Sequence, residues 1–158
     1  MAPLLLFDLS HIDLTAEPLF DKEAIGQVNP QRFEMQQLDG ILWYDKDKSL
    51  MLGYKDITEG EFWVRGHFPG RPIMPGVIMV EAAAQLMSFF VKHILGEKAL
   101  VGFGGIDSVK FRATVEPGDR LHLLCQLTAC KSRKYTFQVQ GVVDMSLVFE
   151  AAVTGIRL

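Results

Sequence analysis

Three side chains in the stretch GHFPGRPIMPGVIMVEAAAQLMSFF, Gly66 to Phe90, have the types and spacing for chemistry: His67, Glu81 and Gln85. A histidine titrates close to neutral pH and can take or give a proton there. A carboxyl group on an otherwise apolar helix is costly unless it is paired, protonated or used. Glu81 and Gln85 are four residues apart, so on a helix they lie one above the other on the same face. The start of such a helix also leaves backbone N–H groups without partners. A base, an acid, an amide and free N–H donors together suit proton transfer on a carbonyl compound. Taken singly, each has a plainer reading. His67 reads as a loop histidine bonded to backbone, Glu81 as half of an ion pair at a subunit contact, and Gln85 as an amide satisfying a buried carbonyl.

The elements that must position these groups follow from the pattern around them. Pro69, Gly70, Pro72, Pro75 and Gly76 make the first half of the stretch a loop, too broken for a helix or an inner strand. Val77 to Phe90 is almost wholly apolar and holds no turn signal, which predicts a buried helix running to about Leu95 and stopping at Gly96. Asp21 to Val28 reads as a short helix capped by Asp21 and ended by Asn29-Pro30. Phe33 to Ile57 reads as two strands joined by a hairpin, and FWVRG, Phe62 to Gly66, as a short strand feeding the His67 loop. After the helix come further strands, punctuated by glycines at 102, 104 and 105, by the turn EPGD and by the polar hairpin KSRK. Leu4 to Leu14 is a candidate edge strand within an extension covering residues 1–20. The class is therefore α+β, with one long helix and five or six mostly antiparallel strands. A helix apolar on every side needs cover on every side, and one sheet supplies only part of it, which predicts a dimer.

Length and composition bound the rest. The chain has 158 residues, 49% of them hydrophobic and 22% charged, which is one domain with a proper core. A net charge of −3, with no basic stripe interleaved with aromatic residues, argues against nucleic acid or an anionic membrane as partner. Cys125 and Cys130 fall five apart on a predicted strand, hence on opposite faces, which predicts reduced thiols rather than a disulfide or a zinc site. The amino-terminal apolar run is short and lacks a basic start, so it does not read as a signal peptide. The long helix approaches membrane-spanning length, but Glu81, Gln85, Lys92 and His93 favour burial in protein. A soluble cytoplasmic protein is the expectation.

From GHFPGRPIMPGVIMVEAAAQL through FGGIDSVKFRATVEPGDRLHL the chain resembles the β-hydroxyacyl-acyl-carrier-protein dehydratases of the FabZ type. The resemblance spans most of residues 21–158 and implies a single hot-dog domain, an antiparallel sheet wrapped around one long helix. It implies a homodimer with two shared sites, often assembled as a hexamer of three dimers. It implies an acyl-carrier protein bearing a 3-hydroxyacyl thioester as substrate, and no metal or organic cofactor. The loop histidine of the family falls on His67 and its helix carboxylate on Glu81, drawn from opposite subunits across an acyl tunnel. The helix-start glycine falls on Gly76, whose N–H would hold the thioester carbonyl, and the glutamine on Gln85, which would help bind the departing water. The usual Pro-His-Arg near the amino terminus is here Pro30-Gln31-Arg32, followed by a more polar stretch, Phe33 to Gln37.

In such a reaction a proton leaves C2 to His67, the enolate oxygen rests on Gly76, and Glu81 protonates the departing hydroxyl. Phe68, Met74, Met79, Phe89 and Phe103 are candidate tunnel residues. Arg65, Arg71 and Arg112 are candidate contacts for an acidic carrier protein, with Lys131, Arg133 and Lys134 a weaker group. His11, His93 and His122 have no comparable setting. Two rival classes remain at this point: a hydratase or thioesterase acting on coenzyme A thioesters, and a non-enzymatic acyl-thioester-binding protein.

Overall fold

Period-two alternation decides the fold. On β5 (Arg120–Lys131) Leu121, Leu123 and Cys125 point to one face of the sheet, and on β6 (Lys134–Val143) Tyr135, Phe137 and Val139 join them. A computed structural model, describing residues 4–158, shows what these faces meet. Seven antiparallel strands form one sheet in the order β1-β2-β3-β5-β6-β7-β4, and helix α2 (Gly76–Phe89) packs across its inner face. The remaining strands are β1 (Phe20–Asp21), β2 (Gly40–Asp45), β3 (Leu50–Asp56), β4 (Val101–Phe111) and β7 (Ser146–Arg157). This is the hot-dog fold. Phe89, Phe90, Leu86, Ala82 and Ala83 of the helix are buried completely against the inner row. The helix continues through a wider π turn, Phe90–Ile94, and ends at Gly96, whose φ of +79° is a left-handed stop that glycine adopts without strain. Gly76–Ile94 is long and apolar enough to cross a membrane, yet it is the core helix that this sheet wraps.

Helix α1 (Lys22–Gly26) begins where expected, with the Asp21 carboxylate accepting the Ala24 N–H at 2.8 Å. Cys125 is buried and Cys130 exposed, both as free thiols.

Two expected elements are absent. Leu4 to Leu14 is not an edge strand; it is an irregular strap lying on the outer face of the sheet, where Leu5, Leu6, Phe7 and Leu9 cover Leu42, Leu52, Leu124, Val142 and Leu147. Residues 1–3 of the expected extension lie outside the described residues. Gln140 fastens the strap by accepting the Leu6 N–H at 2.8 Å and donating to the Leu4 carbonyl at 3.0 Å. Side-chain bonds thus replace the strand ladder, because the strap crosses a face rather than extending an edge. FWVRG is likewise a run of turns. The Glu61 side chain accepts from Thr58 N–H and is paired at 3.0 Å with buried Lys55, while Val64 and Gly66 donate back to Glu61 and Trp63 carbonyls. Local bonding curls the segment before it can pair with a strand.

His122 lies under the strap, and burial, followed by the charge of Arg120, holds its imidazole below the ordinary value of 6.5. The unfolded chain therefore binds this proton more tightly than the folded one. Stability falls as pH drops below 6.5 and levels off below the folded-state value. Urea unfolding at pH 7.5 and at pH 5.5 should show a larger loss for the wild type than for His122→Gln; equal losses would remove His122 from the pH response.

Candidate active site

The loop that carries His67 is pinned at three places. The His67 N–H donates to the Trp63 carbonyl at 2.8 Å, its carbonyl accepts the Ile73 N–H at 2.8 Å, and Met74 N–H reaches the Val115 carbonyl at 2.7 Å. Phe68 and Arg71 exchange both backbone bonds at 2.9 Å, closing a tight turn over Pro69 and Gly70. The ring is fixed as well, with Nδ1 2.7 Å from the Ile73 carbonyl oxygen. A carbonyl only accepts, so Nδ1 carries the hydrogen and Nε2 is the nitrogen with a lone pair. The backbone bond foreseen as the plainer reading of His67 is present, and it leaves Nε2 free. Phe68 stacks on the ring with centroids 4.2 Å apart.

His67 lines a hollow of about 400 Å³ together with Gly76, Val77, Met79 and Phe111. Gly76 opens α2, and among the described residues neither its N–H nor that of Val77 has an acceptor. A Cβ here would come 2.7 Å from the distal atoms of the Phe111 ring, so any larger residue would push that ring off the helix start. Phe111 escaped the sequence reading; the strand pattern gave no sign that β4 would end with a ring laid over the helix start.

Glu81 sits one turn further along, half-buried, and opens onto a different hollow shared with Gln31, Ser88 and Phe103. Gln85 stacks beneath it as the spacing predicted and donates to Glu81 Oε1 at 2.8 Å. The other amide hydrogen goes to the Met35 carbonyl at 2.6 Å, and Gln85 Oε1 accepts from Gln37 N–H at 2.9 Å and Leu38 N–H at 3.2 Å. Both donors of Gln85 are engaged, so it orients Glu81 rather than offering a hydrogen to a ligand. Asn29 adds a bond from its amide nitrogen to the Gln85 carbonyl at 2.9 Å. The polar segment Gln31 to Gln37 is thus the strap that holds the carboxylate in place.

One chain therefore brings together His67 with Gly76, and Glu81 with Gln85, but opens His67 and Glu81 onto separate hollows. Of the tunnel candidates, Met74 and Met79 line the His67 hollow and Phe103 the Glu81 hollow, whereas Phe68 is exposed. Phe89 faces the other way, packed on Phe20 and His93 as ordinary core. Arg65 and Arg71 are exposed on either side of His67, while Arg112 is paired with Glu150 at 3.1 Å and Arg133 bonds the Arg157 carbonyl.

Residues 29–152 match the family described as a FabA-like domain. The 3-hydroxyacyl-acyl-carrier-protein dehydratase FabZ of Albidiferax ferrireducens is 37% identical over 129 residues, spanning 79% of this chain and 85% of that one. The protein of the same name from Lawsonia intracellularis is 36% identical over 138 residues, spanning 84% and 88%. Among solved structures, the dehydratase heterocomplex ApeI:P from Xenorhabdus doucetiae matches with a TM-score of 0.70 over 85% of this chain and 90% of that one, at 11% identity. The E. coli PaaI protein from the phenylacetic acid degradation operon matches at 0.61 over 86% and 89%, at 12% identity. At such identities the likeness is one of fold.

Replacing Gln85 by leucine strands two buried N–H groups and a carbonyl and leaves Glu81 without its tether. A stability loss of about 2–4 kcal/mol is expected in urea unfolding, and a change below about 0.5 kcal/mol would mean that the clamp contributes nothing.

Proposed function

The chain belongs to the FabA-like family, and we propose that it dehydrates 3-hydroxyacyl thioesters held on acyl-carrier protein in fatty-acid biosynthesis, with His67 as base and Glu81 as acid. The enzyme is a hydro-lyase. The observation that carries the residue roles is the 2.7 Å contact between His67 Nδ1 and the Ile73 carbonyl oxygen, which leaves Nε2 with the lone pair on a ring that shares its hollow with the free N–H of Gly76. His67 Nε2 takes the proton from C2, and the electron pair moves onto the thioester carbonyl. The enolate oxygen is held by the Gly76 N–H at the positive end of the helix dipole. As the enolate collapses, the C3–O bond breaks, and Glu81, steadied by Gln85, gives its proton to the departing hydroxyl. Water and a trans-2-enoyl thioester result. The proton on His67 then returns to Glu81 through solvent.

Since His67 and Glu81 open onto separate hollows of one chain, each complete site takes its histidine and Gly76 from one subunit and its glutamate from the other. Two exposed features support that assembly. Strand β4 ends the sheet with an unpaired edge and presents Phe103, Ile106, Val109 and Phe111 to solvent, and Val77 on the adjacent helix face is 72% exposed. A second copy would cover all of them, giving a homodimer that a trimer of dimers could extend. Acidic carrier protein would dock beside His67 on Arg65 and Arg71, and the setting is the cytoplasm.

Mixing two inactive variants tests roles and assembly at once. His67→Ala and Glu81→Gln should each lower kcat by about 10²–10⁴-fold. Unfolding and refolding them together at equal amounts should restore about a quarter of wild-type activity, because half the dimers are mixed and each mixed dimer holds one intact site. Enoyl formation followed by absorbance reads the result, and recovery near zero would place both residues of a site in the same chain.

A further inference from the structure

The hollow at Glu81 is a furrow with a definite end. It follows one stripe of the helix, Glu81, Ala84, Ser88 and Val91, at the three- and four-residue spacing of a single face. Across from it, β7 places Gly155 at an inward position where a Cβ would come 2.9 Å from Val101 Cγ1. The missing side chain leaves the floor of the furrow open. Its far end is filled by Tyr135, which pairs with Gly155 across β6 and β7 and is only 8% exposed. The Tyr135 hydroxyl donates to Glu97 Oε2 at 2.6 Å, and the same carboxylate accepts the Ala99 N–H at 3.0 Å with Arg157 at 3.8 Å. That bond to Glu97, and then burial, push the Tyr135 hydroxyl up to about 12, so it remains a donor through neutral pH. The ring is thus fixed at its tip as well as along its sides, and swinging it aside means breaking a charge-assisted bond.

We propose that Tyr135, pinned by Glu97, is the end wall of the acyl pocket and sets the longest chain the enzyme accepts. The inference rests on the dehydratase reading of the same site. From Glu81 to Val91 the helix rises roughly 15 Å at about 1.5 Å per residue, about the length of an extended twelve-carbon chain. Chains up to that length fit short of the ring, and longer ones meet it.

The test is kcat/KM on 3-hydroxyacyl carrier-protein thioesters of 4, 10 and 16 carbons, for the wild type and Tyr135→Ala. The wild type should fall by about tenfold or more from 10 to 16 carbons, and the variant should regain about tenfold on 16 carbons while staying within about threefold on 4 carbons. Should the alanine variant lose its 4-carbon activity and its helical circular dichroism together, Tyr135→Leu carries the same expectation. A wild type that handles 16 carbons as well as 10, or a variant with the wild-type profile, would overturn the inference while leaving the dehydratase reading in place. A wild type inert on every chain length would overturn that reading and this inference with it.

Discussion

A carboxyl group on a largely buried helix is the constraint on which the rest of the structure turns. Glu81 cannot be left to solvent alone, because the helix is in the core, and it cannot be sealed in, because an unpaired buried charge is costly. The fold meets both demands with one residue. Gln85 sits a turn away, gives one amide hydrogen to Glu81 and spends its other three bonds on Met35, Gln37 and Leu38. The helix is thereby locked to the segment that enters β2, and the carboxyl group is held at a single place on the furrow wall.

The histidine is prepared by the opposite means. Its loop is anchored at either end by buried Trp63 and Met74, and between them its path comes from backbone bonds to Trp63, Ile73 and, through Met74, Val115. The bond from Nδ1 to the Ile73 carbonyl decides which nitrogen is basic, so orientation and tautomer are settled by one contact. Glycine at position 76 then lets Phe111 lie on the helix start and leaves the first N–H groups of the helix available beside the ring. The His67 ring and the free N–H of Gly76 are thus delivered by the same loop, with little freedom between them.

Much of this was legible in the sequence, and for identifiable reasons. The long helix, its stop at Gly96 and the 81/85 stacking follow from periodicity, which depends on local geometry alone. The bulge between Phe103 and Gly105 was signalled by the glycines there, but a second bulge, between Leu127 and Ala129, returns Cys130, paired with Tyr135, to the same face as Cys125, so the opposite faces expected from their odd spacing do not occur. What escaped depended on contacts distant in sequence. The strap from Leu4 to Leu14 looks like a strand because its apolar residues would suit one; only the outward leucines at 42, 52 and 124 make it a cover. FWVRG has the composition of a strand, but a carboxylate bound to Thr58 and Lys55 turns the chain first. The carbonyl that Gln85 was expected to satisfy is that of Met35, fifty residues away, and Phe111 and Tyr135 have no local signal for their positions at the two hollows.

The two hollows also explain why one exposed surface is left so apolar. A chain that completed its own site would have no reason to carry Phe103, Ile106, Val109 and Phe111 on an unpaired edge, since such a strand invites association. Here β4 is the wall of the Glu81 furrow through Phe103 and of the His67 hollow through Phe111, at opposite ends of one strand. Pairing that edge with a second copy would bring another β4 alongside in the antiparallel sense, setting the Phe111 end of one chain against the Phe103 end of the other. In the dimer proposed above, the histidine of one subunit would approach the glutamate of its partner, and the apolar edge, the divided site and the furrow would be consequences of a single association.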